Sequence, residues 1–283
     1  MLQMITEKGQ ITRIYDNRYP ESVDITDGTG RFGYLAYTLH SQDINKEEKP
    51  RFVPFREQYA GFDENGCNSR FDSRFAALET ENGVELSLSC EGEDVDGTGI
   101  YLPFNFISRK NGVWMQQFTV SSPCRTENGH TFVYLKRPDG RHLVCIAGEP
   151  IDGYQINYSD YSYGHFIRGI TFWIQKDRAY GTPRRASRSI TVRIAPAESF
   201  RDALEQATKF WDMPALMYRY SATKVGESFA FDPVGQWDEI LVTAPSGKTE
   251  VLHQPEFAPE EYGFYKAVPY PSARTAVRSS VNL

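Results

Sequence analysis

The chain's 283 residues are long for one domain and comfortable for two. A formal net charge of −6 and a pI near 5.5 exclude the basic footprint of a nucleic-acid binder or of a protein held to anionic lipid, and no apolar run nears the roughly 20 residues that cross a bilayer. The 17 Tyr, 18 Phe and 4 Trp, punctuated by 22 Gly and 16 Pro, suit strands that carry aromatics between turns that carry breakers.

The opening stretch, residues 1–16, has no apolar core of the kind a secretory signal needs, so the expected location is the cytoplasm. Cys67, Cys90, Cys124 and Cys145 show no Cys-x-x-Cys spacing, which fits buried thiols better than a disulfide frame. Ile11 to Tyr15 is the expected first strand. Arg31 to Leu39 alternates Phe32, Tyr34 and Ala36 with Gly33, Leu35 and Tyr37, the period of a sheet strand. From Ser41 to Asn68 the chain is polar and aperiodic, a long surface excursion of the sort that covers something.

A meander follows. Phe71 to Glu79 and Val84 to Cys90 flank Glu81-Asn82-Gly83, where Asn-Gly is expected to supply the positive φ angles of a tight hairpin. Gly99 to Ile107 and Val113 to Val120 flank Asn111-Gly112 in the same way. Thr131 to Lys136 and His142 to Ala147 flank Pro138-Asp139-Gly140, with proline fixing φ and glycine free to turn left-handed. Ile167 to Ile174 and Ser189 to Ala195 complete a set whose spacing predicts antiparallel sheets packed face to face.

One helix stands out. Phe200, Ala203, Leu204, Ala207, Phe210 and Trp211 fall on a single stripe, with Ser199 as N-cap, Glu205 and Lys209 as an i,i+4 pair, and Pro214 as the stop. Beyond it Ser228 to Asp232, Glu239 to Thr243, Thr249 to Leu252, Gly263 to Val268 and Ala273 to Val281 read as short strands, with Ser246-Gly247 at one turn. The expected architecture is all-β. A large antiparallel sandwich over 1–197 leads through a linker helix over 198–214 to a small immunoglobulin-like domain over 215–283.

Several motifs reduce to turn chemistry. Gly28-Thr29-Gly30-Arg31-Phe32-Gly33 matches G-x-G-x-x-G, but it opens a strand, whereas a dinucleotide loop must open the helix whose N-terminus holds the pyrophosphate. Asp-Gly-Thr-Gly occurs at Asp27 to Gly30 and at Asp96 to Gly99, ahead of a strand each time. Glu91, Glu93, Asp94 and Asp96 form an acidic loop without the ligand spacing of a calcium loop, and a solvated turn is the expected reading. Arg184, Arg185 and Arg188 are expected on the wet face of a loop. The five histidines lack zinc spacing, and no nucleophile elbow or Walker loop is present, so neither metal nor cofactor is expected.

The stretch Gly153 to Phe166 is richer in chemistry. Tyr154, Tyr158, Tyr161 and Tyr163 are interleaved with Asn157, Asp160 and His165. Aromatic faces under a sugar ring's C–H groups and short polar side chains on its hydroxyls make a saccharide surface. The candidate residues are Tyr158, Asp160, Tyr161, Tyr163 and His165; the alternative is that the tyrosines fill a sandwich edge. On a single strand Tyr161, Tyr163 and His165 would share one face and Asp160 the other.

Gly99-Ile-Tyr-Leu-Pro-Phe-Asn-Phe106, Tyr163-Gly164-His165-Phe166 and Ile194-Ala-Pro-Ala-Glu-Ser-Phe-Arg-Asp-Ala203 resemble the N-terminal β portion of bacterial glycoside hydrolases whose catalytic part is an (α/α)6 barrel. The resemblance implies an oligo- or polysaccharide partner and a helical-barrel domain or subunit alongside. It carries no catalytic residue onto this chain, because the family's acid and base lie on the barrel. Three function classes follow: a non-catalytic carbohydrate-associated protein, a glycosidase or lyase with its own site in the large sandwich, and a structural or assembly module. An exposed aromatic shelf would favour the first, a cleft with convergent polar groups the second and a broad apolar patch the third.

Overall fold

In the strand Gly83–Cys90, Val84, Leu86, Leu88 and Cys90 are buried, whereas Glu85, Ser87 and Ser89 between them reach solvent to different degrees. This two-residue period sends one face inward and leaves the other to polar side chains. The computed structural model describes residues 2–17, 23–38, 58–91, 97–110, 113–125, 129–161, 164–175, 188–217 and 221–271. The chain divides into two units, Met1–Glu198 and Ser199–Leu283.

The first unit is an antiparallel sandwich. One sheet has seven strands in the order Thr119–Arg125, Thr131–Lys136, His142–Ala147, Arg188–Ala197, Gly83–Cys90, Ser73–Thr80 and Cys67–Asn68. The other has five, in the order Gly153–Tyr161, Gly164–Gln175, Gly97–Leu102, Tyr34–Thr38 and Gln58–Ala60. Leu86, Leu88, Val133, Leu135, Val192 and Ile194 from the first sheet and Leu35, Ile100, Leu102, Ile170 and Phe172 from the second share one apolar core. Leu2, Ile11 and Ile14 join it from a three-stranded sheet of Leu2–Glu7, Gln10–Asp16 and Val23–Asp24, and Ile25 joins it just past the last of these strands. The first strand of that sheet, Leu2–Glu7, precedes the expected opening strand; it turns through Lys8 and Gly9, both at positive φ.

The hairpin Thr131–Lys136/His142–Ala147 has the expected bounds, and Gly140 at φ +79° closes its turn. The Gly83 hairpin forms for a different reason than expected. Thr80 pairs with Gly83 and the loop is Glu81-Asn82, with no positive φ at Asn82. Glycine is needed because a Cβ there would lie 2.1 Å from the Ile194 carbonyl oxygen on the neighbouring strand. The expected strand from Gly99 to Ile107 is two elements. Gly97–Leu102 ends before Pro103 and pairs within the five-stranded sheet, while Ile107–Lys110 makes a separate hairpin with Val113–Gln116. Arg188 is buried rather than wet, and its Nη1 donates to Thr98 Oγ1 at 2.6 Å. Gly28, Gly30 and Gly33 all take positive φ in the turn ahead of Tyr34–Thr38, with no helix behind them. Cys90 and Cys145 are buried thiols, and burial pushes the Cys145 thiol above its usual range.

The helix Phe200–Trp211 belongs to the second unit. Ser199 is extended and its Oγ accepts from the Asp202 N–H at 3.1 Å, while Asp212 ends the helix at φ +52°. Ala203, Leu204, Ala207, Thr208 and Trp211 are buried, with Phe200 and Phe210 half-buried. Thr208 tolerates burial because its hydroxyl donates to the Glu205 carbonyl at 3.0 Å, and the backbone of Gly235 lies close against it. Glu205 and Lys209 form no ion pair. The β part of the unit has a three-stranded sheet in the order Thr249–Leu252, Glu239–Thr243 and Lys266–Tyr270. Two short ladders join Ala215–Leu216 to Pro233–Val234 and Phe229–Ala230 to Glu256–Phe257. Ile240, Val242 and Leu252 form its small core. Leu39, most of the excursion after Ser41, the acidic loop beyond Glu91, Asn111-Gly112, Arg184, Arg185 and Ala273 to Val281 lie outside the described residues.

Candidate functional site

The tyrosine-rich stretch is a hairpin, not one strand. Gly153–Tyr161 and Gly164–Gln175 form an antiparallel ladder in which Asp160 lies opposite His165, Tyr161 opposite Gly164 and Tyr158 opposite Ile167. Asp160 and His165, expected on opposite faces, are thus cross-strand partners, because the chain reverses between them. A register shift after Asn157 supplies the local irregularity. The side chains of Tyr158, Asp160, Tyr161 and His165, and the whole of Tyr163, lie outside the described residues.

The rest of the stretch follows the bland alternative. Tyr154 is half-buried against the sandwich core. Asn157 is buried, its Nδ2 donating to Tyr59 Oη at 2.8 Å and to Thr171 Oγ1 at 3.3 Å. Tyr59 stacks on Tyr101 with ring centroids 4.0 Å apart, beside buried Ala36 and Trp173. The polar groups of Asn157 are thus used within the fold, beside stacked rings.

An open cavity lies in the second unit instead. It measures about 410 Å³, within the range of small-molecule sites. Four rings run along it as a connected series. Phe229 meets Phe231 edge-on at 5.1 Å, Phe231 lies near-parallel to Phe257 at 6.2 Å, and Phe257 meets Tyr265 at 5.2 Å. The ladder Phe229↔Phe257 sets two of these rings opposite each other, although they lie far apart in the sequence. Ser221 and Thr223 add hydroxyls, and Asp232 and Glu261 add carboxylates.

The rim is built by residues 261–265. Tyr265 Oη accepts from the Glu261 N–H at 2.9 Å and donates to the Glu261 carbonyl at 3.1 Å. Glu261 Oε1 accepts from Ser246 Oγ at 2.5 Å, and Gly263, at φ +143°, sits so close to Pro245 that a Cβ would clash with its ring. Pinned in this way, the loop holds Tyr262 90% exposed and Phe264 98% exposed at the mouth of the cavity. Gly263 to Val268 was expected as strand; the strand begins only at Lys266, because the tyrosine hydroxyl closes the loop before it. The signal in the sequence was the pair of aromatics around a glycine, which a period-2 reading assigns to a strand. Asp232 also accepts from Arg201 Nη2 of the helix. Among the described residues no group of His, Cys, Asp and Glu could hold a metal ion.

No family of known proteins matches the chain, and no curated protein does. Its fold is similar to that of a solved polysaccharide lyase, at TM-score 0.57 and 13% identity, over 96% of this chain and 42% of the lyase. The chain therefore spans about two-fifths of that protein's length. An α-N-acetylgalactosaminidase from Bifidobacterium bifidum, solved with GalNAc, matches at TM-score 0.29 and 13% identity, over 74% of this chain and 39% of that one. The lyase likeness establishes the fold; at the second TM-score no argument rests on the match.

Proposed function

We propose that this chain is a non-catalytic, carbohydrate-associated β protein, ancillary to or derived from a carbohydrate-active enzyme of the glycoside hydrolase or lyase kind. The observation that carries the reading is the rim of the second unit's cavity, where Tyr262 and Phe264 stand almost fully exposed on a loop held by four polar or packing contacts. Exposed rings on a mobile loop would cost little and mean little. Rings presented by a pinned loop beside an aromatic cavity lose little conformational entropy when a ligand stacks on them. Hydroxyls and carboxylates within reach of the same cavity supply the partners that sugar hydroxyls need. The fold's likeness to a polysaccharide lyase supports a saccharide as the ligand, and coverage of 42% of that lyase supports a role beside further protein, such as a helical-barrel domain or subunit.

The hairpin residues Tyr158, Asp160, Tyr161, Tyr163 and His165 are proposed as a second saccharide-facing surface on the first unit, supported by their composition and by the Asp160–His165 pairing in the ladder. Affinity at either place is expected to be modest, since stacked rings and exposed hydroxyl contacts exchange with water at small net gain. The test is calorimetric titration of wild type with a panel of oligosaccharides, beside a Tyr262→Ala/Phe264→Ala variant and a Tyr161→Ala/Tyr163→Ala variant, with turnover followed on aryl glycosides and polysaccharides. Binding weakened by either substitution and no turnover above buffer is the expected result. Absence of binding to every sugar would sink the reading, and turnover abolished by a single Tyr, His or carboxylate substitution would replace it with an enzyme.

A further inference from the structure

We infer that the cavity of the second unit selects sugars that carry no acid group, taking neutral or amino-bearing saccharides and rejecting uronates and sulfated glycans. The inference rests on the saccharide reading of that cavity and adds its charge class.

Among the described residues, the charged groups that line the cavity are both acids, Asp232 and Glu261. Three described cations near it are paired with carboxylates. Arg201 bonds Asp232, Lys248 Nζ bonds Glu260 Oε2 at 3.2 Å, and Lys224 Nζ bonds Glu227 Oε1 at 3.2 Å. Glu260 and Glu250 line a small hollow that adjoins the cavity through Phe257, Glu261 and Tyr265. Arg201 offsets Asp232, so Glu261, with Glu250 in the adjoining hollow, supplies the remaining negative charge, and Lys248 registers it: its ammonium is held above its usual range first by the hydrogen bond it donates to Glu260 and then by the charges of Glu260, Glu250 and Glu261.

The consequence for a ligand is directional. A carboxylate accepts only, so it rewards hydroxyl and ammonium donors with charge-assisted bonds. A uronate or sulfate brings further acceptors and a like charge, and recognising it calls for a guanidinium or ammonium fork that this lining lacks among the described residues. The aromatic walls are indifferent to the distinction, since a pyranose presents C–H faces whatever its acidic substituent. Affinity thus comes from the rings, and charge selection comes from Glu261, since Arg201 offsets Asp232.

Calorimetry with cello-hexaose, a glucosamine hexasaccharide and a galacturonate hexasaccharide, at low and at high salt, tests this. The first two should bind, and the galacturonate should bind about tenfold more weakly or worse at roughly 10 mM salt, where the Debye length is about 30 Å. The gap should narrow near 1 M salt and also in Glu261→Gln, which keeps an oxygen for Ser246 but drops the charge. Equal or tighter galacturonate binding, lost in Tyr262→Ala/Phe264→Ala, would overturn the charge selection and leave the saccharide site standing. Binding of no sugar, or binding that the double variant leaves unchanged, would instead overturn the cavity's saccharide reading. Light scattering that shows self-association removed by the same variant, with no sugar effect, would assign the rings to a second copy of this chain and overturn both. Both substituted rings are exposed, so circular dichroism should report an unchanged fold.

Discussion

Replacing Leu204 by alanine tests whether the helix of the second unit is anchored by its apolar stripe or merely tolerated beside it. Leu204 is 0% exposed, and it sits one turn from Ala207 and two from Trp211 on the buried face. The substitution removes three carbon groups from that face, about 2.4 kcal/mol at roughly 0.8 kcal/mol each. If the surroundings do not collapse onto the gap, a cavity penalty raises the loss to as much as about 5 kcal/mol. Alanine's better helix propensity returns only a few tenths of a kcal/mol, too little to change the outcome. The expected loss is therefore about 2–5 kcal/mol, read as a lower urea midpoint at unchanged slope, with the fluorescence of Trp211 and Trp237 and far-UV circular dichroism as probes. Lys209→Ala, on the exposed face, serves as control and should stay within about 0.5 kcal/mol. A loss below about 0.5 kcal/mol for Leu204→Ala would refute the reasoning, because a fully buried leucine cannot be removed so cheaply from a docked helix.

Gly83→Ala should destabilise the first unit by more than about 1 kcal/mol, since the new methyl would meet a backbone oxygen of the central strand Arg188–Ala197 that cannot swing aside; a melting temperature equal to wild type would show that the strands slide apart at no cost. Asp139 is held down to about 2: the hydrogen bond from Arg137 outweighs desolvation, the next largest effect, and the Arg141 N–H and both arginine charges lower it further. A depressed carboxylate stabilises the fold above its unfolded value of 3.8 and loses that contribution as pH falls toward about 2. Because its side chain is 36% exposed, screening trims the contribution to about 1 kcal/mol. Asp139→Asn should thus be less stable than wild type by about that much at neutral pH, with the gap closing between pH 4 and 2; a pH-independent gap would show that the turn's geometry, not the charge, is responsible.

Local chemistry made part of this molecule readable in one dimension. Ser199 before a 3.6-residue apolar stripe specifies a helix start, and Pro138-Asp139-Gly140 between alternating runs specifies a hairpin, because each signal acts within a few residues of itself. The all-β class followed from the same short-range alternation. What alternation does not encode is which strands become neighbours. Gly97–Leu102 lies between Gly164–Gln175 and Tyr34–Thr38, whereas the strand expected to pair with it, Val113–Gln116, pairs with Ile107–Lys110. Arg188 looked like a surface cation and became a core residue because Thr98, 90 positions away, supplies its partner. The same holds for the proposed site. Phe229, Phe257 and Tyr265 are unremarked aromatics in sequence, and only the ladder between distant strands sets them around one cavity. Gly263 reads as the start of a strand until Pro245 and the Tyr265 hydroxyl pin it into a loop that leaves Tyr262 and Phe264 in solvent. Turns and caps are decided by atoms a few bonds apart, whereas burial and exposure are decided by what the rest of the chain brings alongside, and that is settled only when the sheets close.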